Sequence, residues 1–484
     1  MKKSINALLL ILLSLAVFAQ PNKVNQQIVI AGKISDSMMP LVTKAPYITL
    51  YSNYNQDNTA SQRIVPLNIK GGEFKIEVSS EEGLLYFDFG NGMIRSITND
   101  VFLISQGDSI YMDIKGKNDV LFSGKGAEKL SYQNWAGKFI NSDKKKWGPN
   151  DNMVDHMLYN RKRAIRFLAL TLDQLNKDTS INDVKIRNIL RLNVASSISR
   201  QYLNSITNDV YFTDTAYYNK LKGEVNFLIT QQNGFVVNDS YLIENSFMYV
   251  QYLFELNKAI AKIRTKSWKV PISIVYNNIK AEFRGILLDK LIAYCFLDLL
   301  KIDSEGLQYL PKALTLVHDS ACKALLTQIK NARSKGVKAF DFDLQTLDHK
   351  RIKLNDLKGK VIILETYYAG CVPCRQLSIN MESIAEYFKS RKDVVFISLD
   401  GIAKDFYTFE KGAKSKEYGY KQSIYAWTEG LGIQHPLLTF YNYNSFPNLL
   451  IIGKDGGIIS AQPERPFNDE GSKTAFKEFI NKNL

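Results

Sequence analysis

The sequence predicts a multidomain protein: an all-β, sandwich-like domain at the front, an all-α region in the middle and an α/β domain at the C-terminus. Three observations predict it. The chain has 484 residues, too many for one ordinary hydrophobic core. Its apolar pattern changes period twice, from short alternating runs to three- and four-residue spacing and then to a mixture of the two. It is 45% hydrophobic and 23% charged, the composition of a chain that packs rather than stays disordered.

At the start, Lys2 and Lys3 precede an apolar run from Ala7 to Phe18, and Val17-Phe18-Ala19 leads into Gln20. The run is shorter than the roughly 20 residues that cross a bilayer, so residues 1–19 read as a cleaved secretory signal peptide. No Cys follows it, which argues against lipoprotein processing. Export assigns the body of the protein to the periplasm or cell envelope. The net charge of +14 is spread along helical stretches, with short runs only at Lys144-Lys145-Lys146 and Arg161-Lys162-Arg163, and it reads as a solvated face. There is no nucleic-acid-binding signature, and export argues against that role.

Residues 26–125 alternate β-rich runs (QQIVIAGKI, YITLYS, GGEFKIEV, GLLYFDFG, VFLISQGDSIYMDI) with glycine-containing turns, an all-β pattern. The segment SGKGAEK lacks the spacing of a phosphate loop and opens no βαβ unit. Residues 126–335 turn helical: RKRAIRFLALTLDQL, NSFMYVQYLFELNKAIAKI and GILLDKLIAYCFLDLLKI carry apolar residues at helical spacing. Their Tyr, Phe and Leu stripes read as core, and His156 and His318 have no ligand-spaced partners. In residues 336–484, the apolar strand VIILETYY runs into Cys371. A helix follows with Leu377, Met381, Ile384, Ala385 and Phe388 on one face, and then the strand VVFISL, the order of a buried βαβ unit. After a polar helical insertion, PNLLII and Ile458-Ile459 flank KDGG as a hairpin, and a last helix uses Ala475, Phe476, Phe479 and Ile480.

Cys371-Val372-Pro373-Cys374 stands where the strand gives way to the helix. Unpaired N–H groups and the positive end of the helix dipole favour a thiolate at Cys371. Cys374, one turn in, is spaced to resolve a mixed disulfide. Pro373 suits the first helical turn, where its missing N–H costs nothing.

These pieces (AFDFDLQTLDHKRIKLNDLKGKVIILETYYAGCVPCRQ, VVFISLD and NSFPNLLIIGKDGGII) together resemble the thioredoxin superfamily, and within it the TlpA/ResA-like exported thiol:disulfide oxidoreductases. The resemblance covers the C-terminal domain and implies a thioredoxin-like fold with Cys371 and Cys374 as the redox pair. It implies that Glu365 is a buried acid beneath the site, accepting the proton of Cys374, with its pKa raised by apolar surroundings. It also implies a cis bond at Phe446-Pro447 that receives an extended substrate. The chain departs from the family at Gly370, where an aromatic residue is usual, at Tyr367-Tyr368, where Phe-Trp is typical, and at Phe340, where Pro is usual. The front domain resembles the β domain that often precedes such modules.

The function this predicts is a disulfide reductase or isomerase acting on exported protein thiols or disulfides. It needs no bound cofactor and takes its electrons, by family analogy, from a membrane thiol carrier. Val372 and Pro373 supply neither charge nor imidazole, so the potential should be comparatively reducing, roughly −200 to −270 mV. A rival from another class is a partner-binding scaffold with a vestigial thioredoxin-like domain. A peroxidase would carry Thr where Tyr368 stands. A zinc site is disfavoured, because a second ligand pair is missing: Cys295 and Cys322 lack CxxC spacing, and His349 and His435 stand alone. Cys295 and Cys322 are either a structural disulfide or two buried thiols, and the sequence leaves both open.

Overall fold

The computed structural model describes residues 27–42, 46–51, 62–79, 83–90, 101–116, 119–141, 152–207, 215–233, 237–267, 270–300 and 304–484. The expected signal peptide and the Lys144–Lys146 run lie outside these residues. The architecture is multidomain, with β sheets first, helices next and a thioredoxin-like α/β domain last, as the sequence predicts. By compactness the chain divides into two units, one holding the front strands and the next helix as far as Lys138, the other holding the described residues from Phe139 onward.

In the first unit the strands are β1 (Ile28–Ile34), β2 (Tyr47–Tyr51), β3 (Gln62–Pro66), β4 (Glu73–Val78), β5 (Leu84–Gly90), β6 (Phe102–Ser105), β7 (Ser109–Gly116) and β8 (Asp119–Lys125). They form sheets of order β4-β1-β7-β8 and β3-β2-β5-β6. Strict alternation in β4 turns Phe74, Ile76 and Val78 inward, and this face meets Ile48, Phe87, Phe89 and Phe102 of the other sheet in one core. The rings of Phe74 and Phe89 touch edge to face across it. The parallel pairing of β1 with β7 joins strands far apart in sequence and leaves no local sequence signal. Helix α1 (Ala127–Asn141) adds Leu130 to this core.

The second unit begins with α2 (Met153–Lys177), α3 (Val184–Thr207), α4 (Thr215–Asn233), α5 (Ser240–Asn245), α6 (Phe247–Thr265), α7 (Ile272–Glu282), α8 (Gly285–Leu299), α9 (Leu310–Leu316) and α10 (Ser320–Arg333). Asn152 and Asp319 accept backbone N–H groups at the starts of α2 and α10, which satisfies donors a helix cannot pair internally. Helix α8 is apolar nearly all round and is accordingly buried. Cys295 and Cys322 are both buried here as thiols, with no disulfide between them. Arg333, the last residue of α10, is itself buried. It donates to the Leu300 carbonyl at 3.1 Å, to the Gln462 side chain at 2.6 Å and to the Tyr441 carbonyl at 3.4 Å.

The remaining elements are β9 (Asp343–Thr346), β10 (Arg351–Lys353), β11 (Val361–Tyr367), α11 (Val372–Phe388), β12 (Val394–Asp400), α12 (Phe406–Lys414), β13 (Ile424–Trp427), α13 (Pro436–Tyr441), β14 (Asn448–Ile452), β15 (Ile458–Ser460) and α14 (Glu470–Asn481). Their sheet has the order β10-β9-β13-β12-β11-β14-β15. β11 lies inside it, parallel to β12 and antiparallel to β14, and every residue of β11 is buried. That is why VIILETY reads as a continuous apolar run. Leu377, Met381, Ile384, Ala385 and Phe388 of α11 pack with Phe476 and Ile480 of α14 on one face. Leu437, Leu438 and Tyr441 of α13 lie in the cluster on the other. Ala475, assigned to that last apolar stripe from sequence, faces solvent. Short β9, β10 and β13 went unread in the sequence. Among the described residues no helix is long and apolar enough to cross a membrane.

Candidate active site

The site is built at the end of β11. The chain leaves the strand at Tyr367, turns through Ala369 and Gly370, and enters α11 with Cys371 as the residue that caps it. The Cys374 N–H donates to Cys371 Sγ at 3.1 Å, so the sulfur takes the place of a capping oxygen at the positive end of the helix. Cys371 and Cys374 are joined in a disulfide, and Pro373 falls in the first turn. The two sulfurs that the spacing pairs are therefore together.

Glu365 lies on β11, fully buried. The Ser378 hydroxyl, one turn beyond Cys374 on α11, is shared between Glu365 Oε1 at 3.1 Å and the Cys374 carbonyl at 3.0 Å. Glu365 Oε2 has no hydrogen-bond partner among the described residues. Burial pushes the Glu365 carboxyl up to about 8; the Ser378 and Tyr420 hydroxyls and the charge of Arg465 pull the other way and only partly offset it. The side chain is mostly protonated at pH 7, one hydroxyl away from the backbone of Cys374.

Phe446-Pro447 is cis. The following residue is fixed to β11, with Asn448 N–H donating to Thr366 Oγ1 at 2.9 Å, and the Pro447 carbonyl accepts from Arg465 at 2.6 Å. The Phe446 ring sits against Gly401, where a Cβ would come within 2.2 Å of a ring carbon, so the close approach requires glycine. The turn after β12 that carries Gly401 is shaped by Asp400, whose Oδ1 accepts from the N–H groups of Ile402 and Ala403.

Around the disulfide stand aromatic residues, of which the sequence singled out Tyr367, Tyr368 and Phe446 but not Tyr418 or Tyr425. Tyr367, Cys371, Cys374 and Tyr418 form one buried cluster, with Tyr425 and Phe446 at its edge. Tyr418 stacks on Tyr367 with ring centres 5.4 Å apart and planes 8° from parallel, and Tyr368 meets Phe446 edge to face. In the loop between α12 and β13, the Gly419 N–H donates to the Ser378 hydroxyl at 3.0 Å. Gly419 itself has φ +69° with the Tyr425 ring 2.7 Å from any Cβ, a position only glycine fills without strain. The paired tyrosines of KEYGYK were the one local signal, and nothing in them points to a site 48 residues upstream. His349 stacks on Phe406, and His435 caps α13 through Nδ1; the two are held in separate structural roles.

Residues 336–457 match the AhpC/TSA family. The C-terminal region is a thioredoxin-like domain of the thiol-disulfide oxidoreductase kind. Its relatives include the thioredoxin-like protein YneN of Bacillus subtilis, 28% identical over 124 residues, which are 26% of this chain and 68% of that protein. The thiol-disulfide oxidoreductase ResA of Bacillus subtilis is 26% identical over 131 residues, 27% of this chain and 68% of that protein. Among solved structures, the thioredoxin domain of a thiol-disulfide oxidoreductase from Bacteroides vulgatus is 20% identical with a TM-score of 0.26, covering 31% of this chain and 100% of that one. The AhpC/TSA match is confined to the thioredoxin-like domain and does not extend to the β sheets or α2–α10.

Proposed function

We propose that the protein is an exported disulfide reductase or isomerase that acts on proteins outside the cytoplasm. In this reading residues 1–19 direct export to the periplasm or cell envelope. A β-rich domain over 26–125 and a helical region over 126–335 precede the working domain, 336–484. In the reduced form the Cys371 thiolate attacks a substrate disulfide, forming a mixed disulfide and expelling one substrate thiolate. Cys374 then gives its proton to the carboxylate form of Glu365, the minor form at pH 7 of a group that titrates at about 8, and attacks Cys371 Sγ, which releases the second substrate thiolate and regenerates the Cys371–Cys374 disulfide. Phe446-Pro447 borders the incoming chain. Two electrons leave the dithiol in each cycle, so turnover requires an external thiol donor, which we assign to a membrane thiol carrier.

The observation that carries this reading is a disulfide at a helix N-terminus with a buried carboxyl of raised pKa beneath it, joined through the Ser378 hydroxyl to the backbone carbonyl of Cys374. The apolar pair Val372-Pro373 supports a potential of roughly −200 to −270 mV. Insulin reduction with dithiothreitol as donor tests the activity. Wild type should turn over and Cys371→Ser should fall to the background rate, while equal rates for the two would overturn the assignment.

A further inference from the structure

The mouth of the site is open, but its nucleophile is covered. Ala369, Gly370, Val372 and Pro373 are exposed, whereas Cys371 between them is only 2% exposed. Part of the cover comes from the loop between α12 and β13. Tyr418, 5% exposed, shares the buried cluster with Cys371 and Cys374. It is held there by two interactions of its side chain: the stack on Tyr367 and the Gly370 N–H, which donates to Tyr418 Oη at 2.7 Å. Its backbone is anchored separately, since Tyr425 Oη donates to the Tyr418 carbonyl at 2.9 Å and Gly419 bonds to Ser378. The backbone anchors of the loop are thus separate from the contacts that hold the ring.

We propose that Tyr418 is a specificity-determining residue of the dithiol site, an aromatic lid over Cys371 Sγ that admits small reagents and bars bulky ones until it swings away. The proposal deepens the dithiol reading and rests on it. Opening breaks one hydrogen bond and one ring stack, and it frees the Gly370 N–H beside Cys371. A macromolecular substrate that supplies an acceptor for that N–H replaces the bond that the lid gives up; a bulky reagent without one does not.

The test is the rate at which the Cys371–Cys374 disulfide of the full-length protein is reduced by compact dithiothreitol and by bulkier tris(2-carboxyethyl)phosphine, with the released thiols titrated. Each reagent delivers two electrons. Dithiothreitol displaces one cysteine thiolate and then closes its own disulfide. The phosphine attacks sulfur, takes oxygen from water and leaves as the phosphine oxide. Tyr418→Ala should raise the phosphine rate about tenfold, since both holding interactions are lost, and the dithiothreitol rate by less. Tyr418→Phe, which keeps the ring and loses the hydroxyl, should give an intermediate rise of about threefold with the phosphine, and it guards against a folding defect in the alanine variant. Tyr407→Ala, at a ring 72% exposed, should change neither rate. Unchanged rates in both Tyr418 variants, or an equal rise with the two reagents, would overturn the lid. Because these reagents act on the disulfide directly, the result stands apart from insulin turnover, whose failure would instead remove the enzymatic reading.

Discussion

Two glutamates in the second unit are equally hidden from solvent and opposite in chemistry. Glu224 on α4 is 1% exposed and Glu365 on β11 is 0% exposed. Glu224 has Lys220 Nζ at 2.8 Å, the Tyr202 hydroxyl at 2.5 Å and Arg161 at 3.5 Å. Burial raises its pKa, but the bonds from Lys220 and Tyr202 and the two positive charges outweigh burial and hold the carboxyl below its ordinary value. Glu365 has only the Ser378 and Tyr420 hydroxyls beside it and no ion pair among the described residues, so burial wins. The difference teaches that loss of solvent exposure alone does not decide charge: Glu365 lies deeper and has fewer donors, and both favour its neutral form. A charged, fully bonded carboxylate ties α2, α3 and α4 together, whereas a neutral, under-bonded one is equipped to exchange a proton.

The sharpest way to break this contrast is to remove the proton from one of them. Glu365→Gln keeps the shape and loses the carboxylate that takes the Cys374 proton, and under the proposed mechanism resolution of the mixed disulfide should slow about 100-fold at pH 7. Single-turnover reduction of insulin by the prereduced protein measures it, and a rate within twofold of wild type would strip Glu365 of its role. Next in size is Glu224→Gln, which leaves the Lys220 and Arg161 charges uncompensated. It should cost about 2 kcal/mol in urea unfolding at pH 7 and leave the dithiol chemistry of the folded protein unchanged.

A third effect carries a sign. Glu365 titrates higher in the folded protein, about 8, than its ordinary value of 4.5, so its neutral form favours folding fully below 4.5. That contribution drains away as pH rises towards 8, at about 1 kcal/mol per pH unit. Glu224 is shifted downwards, so its contribution is present above 4.5 and is lost as pH falls through its folded value. Stability differences between wild type and each Gln variant, followed from pH 2 to pH 9, should therefore run in opposite directions, that of Glu224 falling as pH drops below 4.5 and that of Glu365 falling as pH rises above 4.5. Curves of the same slope would refute the comparison.

Legibility in the sequence tracked how local the cause was. The strand, cysteine and helix succession was readable because β11 is buried on both faces and α11 repeats its apolar residues at helical spacing. The partners of Glu365 were not. Ser378 is an ordinary polar residue inside a helix, and it becomes a hydrogen-bond hub only when the Gly419 loop returns to it. β13 has a half-buried start, IYAW, and pairs with β12 and β9; its four residues carry too little pattern to separate strand from loop. Glu224 looked like one charge among many on a helix, because its burial depends on α2 and α3 closing over it. Tyr418 lies between these cases: visible as an aromatic pair, placed only by a loop that returns to the catalytic turn.

Arg333 carries a last consequence. Its guanidinium has carbonyl and amide oxygens for company, from the end of α8, from α13 and from the segment after β15. A boundary drawn at residue 336 for expression of the thioredoxin-like portion alone would sever the arginine from its acceptors, leaving the Gln462 amide and the Tyr441 carbonyl to water. The excised piece would be a redox module with an open seam, and its measured behaviour would describe a truncated edge as much as the native dithiol.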